Sequence, residues 1–121
     1  MRLEILFAAA MVFFPPTVLS ARGLETRCGW LINPTPGNWS LHDRESWTLG
    51  IQGEYAAEGL EDLPDMSGSK WLQVNQSYGY GCACLKVVSD KKEHKVIRII
   101  SAKQMSLEKC QNDQSLKSPM E

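Results

Sequence analysis

Four cysteines, Cys28, Cys82, Cys84 and Cys110, constrain this chain of 121 residues more than any other feature. Cys82 and Cys84 are separated by one alanine. On a strand their side chains point the same way, with α-carbons near the upper limit for a bridge. Each therefore takes a distant partner, and Cys28 and Cys110 are the two available. Whether Cys28 joins Cys82 or Cys84 stays open. Bridges closing loops of roughly 26 and 54 residues each contribute about 3.5–4 kcal/mol on the chain-entropy model. Against a domain stability of about 5–15 kcal/mol, two such bridges decide whether the domain folds. An even cysteine count in a short chain is the pattern of an oxidising compartment.

The N-terminus agrees with that compartment. Arg2 supplies a positive start, Ile5 to Phe14 is uncharged and apolar, and Pro15-Pro16 interrupt it. Val18-Leu19-Ser20 and Ala21-Arg22-Gly23 each offer small residues for cleavage, which places the cut between Ser20 and Gly23. A permanent span needs roughly 20 apolar residues, about twice the unbroken run here. No cysteine directly follows the small residues to carry a lipid. The expectation is a signal peptide over residues 1–22 and a periplasmic or secreted product without a stable membrane anchor after cleavage.

The remainder, about 100 residues, is one domain's length. Alternation of apolar and polar residues places strands at Cys28–Ile32, Trp39–Leu41, Trp47–Ile51, Trp71–Val74, Cys82–Val88 and Lys95–Ser101. Asn33-Pro-Thr-Pro-Gly-Asn38 is turn chemistry, and His42 to Ser46 is a polar loop that makes a hairpin of its flanking runs. In the last strand Val96, Arg98 and Ile100 share one face and Ile97 and Ile99 the other, the mark of a central strand. Gly53–Ser69 is acidic and reads mostly as a surface loop, with a short helical turn expected within Glu54–Leu63, where Ala56-Ala57 favour it and Gly59 does not. Met105 to Cys110 reads as one helical turn that docks the last cysteine. The fold expected is mainly β: a small antiparallel sheet of about five or six short strands, disulfide-stapled, with minor helical turns. Residues 23–110 form this domain and 111–121 a polar C-terminal tail. Charge is segregated. Residues 24–69 carry two arginines against eight carboxylates, and residues 70–121 carry nine bases against five acids. The total of −1 gives no pull toward nucleic acid.

Three segments carry a family resemblance. They are Cys28-Gly-Trp-Leu-Ile-Asn-Pro-Thr-Pro-Gly-Asn-Trp39, Asp43-Arg44 with Trp47-Thr-Leu49, and Ser77-Tyr-Gly-Tyr-Gly-Cys-Ala-Cys-Leu85. Over roughly residues 27–110 the chain resembles an exported bacterial family catalogued as domain of unknown function 4087. The resemblance implies a periplasmic or secreted protein. It brings neither an activity nor a catalytic residue.

Several side-chain groups invite a chemistry. Cys82-Ala-Cys84 could act as a thiol-redox pair or hold copper, but the histidines and methionines are scattered and none stands at ligand spacing from it. Structural disulfides are the favoured reading, with no metal and no cofactor. His42 and His94 could serve a small hydrolase or nuclease. His42-Asp43 makes a poor catalytic pair, because neighbours on a strand point to opposite faces. Both histidines also lie in charged turns, so no catalytic residue is assigned. Four tryptophans are many for this length. Trp30 and Trp47 lie in buried-looking runs and are assigned to the core. Trp39, Asp43, Tyr78 and Tyr80 flank turns and form the candidate binding set. The function expected is a non-enzymatic binding module for an envelope component, a glycan or a protein.

Overall fold

A computed structural model describes residues 23–119. The signal peptide expected over residues 1–22 lies outside the described residues. The chain forms β1 (Leu24–Thr35), β2 (Asn38–His42), β3 (Ser46–Ile51), β4 (Tyr55–Ala56), a 3-10 turn (Leu60–Asp62), β5 (Trp71–Asn75), β6 (Tyr78–Asp90), β7 (Lys95–Met105) and α1 (Leu107–Gln111). The mainly-β, antiparallel, disulfide-stapled domain expected from the sequence is present. Its three longest strands have 12, 13 and 11 residues.

The sheet closes on itself. β1 pairs antiparallel with β2 from Trp30 onward and with β6 from Leu24 to Asn33. β2 pairs with β3, β3 meets β7 in parallel at Thr48 and Lys95, and β7 returns antiparallel to β6. The ring therefore runs β1-β2-β3-β7-β6 and back to β1. A meander closed by a parallel step to the last strand is the ring order of OB-type Greek-key barrels. Ring order alone assigns no function.

The parallel seam is short, and the segment after β4 fills it. Ala57 N donates to Leu49 O at 2.8 Å, Glu58 N to Ile97 O at 2.9 Å, and Ile99 N to Glu58 O at 2.8 Å. Gly59 follows at φ 91°, and a Cβ there would meet Ile99 O. Of the helical turn expected within Glu54–Leu63, the 3-10 turn Leu60–Asp62 forms, while Ala56 lies in β4 and Ala57 is buried in the seam. Tertiary pairing overrides alanine's helix propensity here.

Side chains from all five ring strands meet inside. Leu31, Leu41, Trp47, Leu49, Leu85, Val87 and Val96 are each at most 1% exposed, so Trp47 is core as expected. Met66, Trp71, Trp39, Leu60 and Leu63 join this cluster from the loops and from β5. Strict alternation fails in β7. Val96 and Ile99 are both buried while Ile100 is 48% exposed. The register against β6 shifts between Lys86 and Val87 and again between Val88 and Ser89, and each bulge turns the following side chains over. β7 is central, as its composition suggested, but its inward set is not the one that simple counting gives.

A second core lies outside the ring. Trp30, Cys82 and Cys110 are buried together, with Ile32, Tyr80, Met105, Leu107 and Leu116 packed around them. The Cys82–Cys110 disulfide ties α1 to the outer face of β6, and Cys28–Cys84 joins directly opposed residues of β1 and β6. Residues 111–119 are polar in composition, yet they do not leave the domain. Asp113 O accepts from Leu116 N at 3.0 Å, and Leu116 returns to the second core. We call residues 112–119 the strap.

Candidate functional site

The side chains facing outward from β1, β2, β5 and β6 build one surface. Alternation sends Leu31 and Leu41 into the barrel and therefore Ile32, Ser40 and His42 out of it. Tyr80 is registered opposite both Ile32 on β1 and Leu72 on β5, so it stands in the middle of this face. Gly79 allows the crowding: a Cβ there would collide with Leu72 O. Trp30 holds Tyr80 by an edge-on contact, with ring centroids 5.3 Å apart.

Two clefts open on either side of Tyr80. One, of about 300 Å³, is lined by Ile32, Pro34, Ser40, His42, Val74 and Pro119. The other, of about 200 Å³, is lined by Trp30, Leu72, Cys110, Leu116 and Pro119 among others. Tyr80 and Pro119 belong to both, so the two clefts adjoin where the strap's end meets Tyr80, and together they are called the groove. Val74 contributes an apolar side chain that is 54% exposed.

The polar edge of the larger cleft is His42. Its Nε2 lies 3.2 Å from Ser40 Oγ and 3.2 Å from Ser46 Oγ. Burial holds its pKa below the ordinary 6.5, against an opposing pull from Asp43. The folded state therefore binds fewer protons at this site than the unfolded chain. Its contribution to stability is present above about pH 6.5 and is lost as pH falls from there toward the folded pKa. We expect the urea midpoint of the wild type to fall between about pH 7 and 5, and His42→Gln to flatten that fall. Asp65 and Asp113, held below 3.8 by Ser67 and Ser115, act only at lower pH. Equal pH slopes for wild type and variant would contradict this reading of His42.

The four residues expected to bind do not share one face. Tyr80 lies in the groove, and Tyr78, two residues earlier on β6, is on the same side by alternation. Trp39 points the other way. It packs on the inner core, with its ring 6.5 Å from that of Trp71, and borders a separate cleft of about 420 Å³ with Leu60, Leu63 and Met66. Asp43 is a clasp: Oδ2 accepts from Arg27 Nη1 at 3.0 Å, and Oδ1 accepts from Trp47 Nε1 at 3.1 Å and Glu45 N at 2.8 Å. Its oxygens are thus committed within the fold. The groove residues not singled out from sequence are Ile32, Ser40, Val74 and Pro119. The available signal for them was period-2 counting from Tyr80 and its strand partners, and it required the register.

The histidines are also separated. Ser46 and Trp47 are consecutive on β3 and face opposite ways. His42 is with Ser46 outside, while His94 stacks on Trp47 at 4.9 Å and meets Glu45 Oε1 at 2.9 Å. All four cysteines are in disulfides, so neither Cys82 nor Cys84 offers a thiolate in this state. Among the described residues no group of three or more His, Cys, Asp or Glu is arranged to hold a metal ion.

The family model described as protein of unknown function, DUF4087, matches residues 22–117. The chain belongs to the DUF4087 family. The matched span takes in the barrel, both disulfides and the strap as far as Lys117. No curated protein and no solved structure matched the chain. The DUF4087 description names no activity, so the assignment of a role to the groove rests on its geometry. No helix among the described residues is long and apolar enough to cross a membrane.

Proposed function

We propose that this DUF4087 protein is exported and acts as a non-enzymatic binding module. Its ligand is an extended, proline-bearing segment of another protein, seated along Tyr80. One observation carries the reading: the chain's own strap already lies there, with Leu116 in the outer core and Pro119 against both clefts. A surface that holds the Leu116-Lys-Ser-Pro119 segment in this way has the aromatic and apolar lining that proline-rich peptides use. Ser40 and His42 supply hydroxyl and imidazole groups for the backbone carbonyls and amides of such a ligand.

Export is supported by the leader's three regions and by the two disulfides. A binding role is favoured over hydrolysis by the commitments of Asp43, which leave His42 without a carboxylate to orient it. A glycan would ask for more polar hydrogen-bonding groups than Ile32, Pro34 and Val74 provide.

Panning a displayed random peptide library against the oxidised protein tests this reading. Proline-containing apolar sequences should be enriched on the wild type and lost on Tyr80→Ala combined with Val74→Asp. Retention of the same sequences by that double variant, or a selection without proline enrichment, would contradict it.

A further inference from the structure

The two disulfides share one strand but not one environment. Cys82–Cys110 is the more deeply covered: Cys82 is 2% and Cys110 3% exposed, packed with Trp30 and Tyr80, with Cys110 bordering the cleft of about 200 Å³. Cys28–Cys84 is open. β2 covers the far edge of β1 only from Trp30 onward, so Cys28 stands beyond the end of that cover and is exposed. It lines a polar cleft of about 360 Å³ with Arg44, Glu45, Asp113 and Ser115, wide enough for a small thiol to enter. Cys84 is half-buried between β1 and β7.

The surroundings of Cys84 favour one direction of cleavage. Lys103 is registered directly opposite Cys84 on β7, and Lys86 follows it by two residues on β6. Opposed residues and i, i+2 residues share a face, so both lysines stand on the face of the sheet that carries this sulfur. Cations beside a cysteine favour its thiolate, and a better thiolate leaves faster in exchange. The ring does not depend on this bridge for its register, because β1 and β6 are paired on both sides of it, from Leu24 to Asn33.

We infer that Cys28–Cys84 is a thiol–disulfide exchange site, opened by a dithiol reductant through attack at Cys28, while Cys82–Cys110 stays closed. One thiolate of the reductant attacks Cys28 Sγ. A mixed disulfide forms there, the Cys28–Cys84 bond breaks, and Cys84 leaves as a thiolate beside Lys86 and Lys103. The reductant's second thiol then attacks its own sulfur in the mixed disulfide and frees Cys28. The reductant ends as a disulfide, and the protein gains two electrons and two protons as two thiols. The consequence is a domain with two covalent states and one fold. The inference is independent of the ligand assigned to the groove.

Titrating the oxidised protein with dithiothreitol, trapping with an alkylating agent and mapping the peptides tests it. Cys28 and Cys84 should be labelled at a reductant concentration at least roughly tenfold below that which labels Cys82 and Cys110. With glutathione, a monothiol whose second step needs another molecule, the adduct trapped at low thiol concentration should be found on Cys28 with Cys84 free. Lys86→Gln with Lys103→Gln should slow opening severalfold, and Lys92→Gln in the β6–β7 turn should not. Simultaneous opening of both bridges, earlier opening of Cys82–Cys110, adducts on Cys84, or an unchanged rate in the double lysine variant would overturn the assignment.

Discussion

The protein with Cys82 and Cys110 both replaced by alanine is expected to lose about 5 kcal/mol of stability, more than the corresponding Cys28→Ala, Cys84→Ala protein. Loop entropy alone ranks the two bridges the other way. Cys28–Cys84 spans 56 residues and Cys82–Cys110 spans 28, worth about 4 and 3.5 kcal/mol respectively. The difference of roughly half a kcal/mol is smaller than what else is lost. Without Cys110 anchored to β6, α1 and the strap lose their covalent tie to the barrel, and the packing of Leu107 and Leu116 against Trp30, Tyr80 and Met105 loosens. Partial loss of those contacts adds about 1–2 kcal/mol. Urea unfolding of the two double variants reads the order directly. A larger loss for the Cys28, Cys84 pair would show that the outer core contributes nothing beyond its bridge.

The second large effect is expected at Arg27. Its side chain is only 14% exposed and lies at one end of the barrel, its guanidinium carbon 3.7 Å from the centroid of the Trp47 ring. It donates to Glu25, Asp43 and Ser89, the last being 1% exposed. Replacing it by methionine keeps an apolar stem over Trp47 but removes the guanidinium that Glu25, Asp43 Oδ2 and the buried Ser89 hydroxyl accept from. Exposed ion pairs contribute about 0–1 kcal/mol and breaking a buried one costs about 3–5 kcal/mol. This partly buried cluster should lose about 2–4 kcal/mol. Adding Asp43→Asn removes one of the stranded charges and should recover part of the loss. Equilibrium unfolding followed by tryptophan fluorescence checks both, and a loss for Arg27→Met below about 1 kcal/mol would place the cluster with ordinary surface pairs.

Arg27 also shows where sequence reading stops. The strand from Cys28 to Ile32 was legible because its residues are apolar, but the first part of β1 was not. Glu25 and Arg27 occupy inward positions at the barrel's end, where they satisfy each other, and no hydrophobic period marks such residues. The β6–β7 pair was legible as two strands, since apolar and polar residues alternate toward the end of the first and β-branched residues crowd the second, while its two bulges were not. Ring closure lay beyond the sequence as well. It depends on β1 pairing at two edges and on Ala57-Glu58 filling a seam, and both are long-range pairings without a local signature. Within the candidate site, Tyr78 and Tyr80 share the outer side of β6 because glycines alternate with them. Trp39 and Asp43 were placed beside them through turn proximity alone, and a one-residue difference in strand parity sends Trp39 inward. The strap's polar composition hid Leu116, which packs into the outer core.

The central claim is that an extended proline-bearing peptide seats along Tyr80. Titrating the 15N-labelled protein with the hexapeptide Pro-Leu-Pro-Pro-Leu-Pro and following backbone amide shifts tests it most directly. The account predicts saturable shifts concentrated at Ile32, Ser40, Val74, Gly79 and Tyr80, with the amides of Trp39, Ala56 and Leu63 on the other cleft unmoved. Shifts centred on Trp39, Ala56 and Leu63, or none at millimolar peptide, would contradict it.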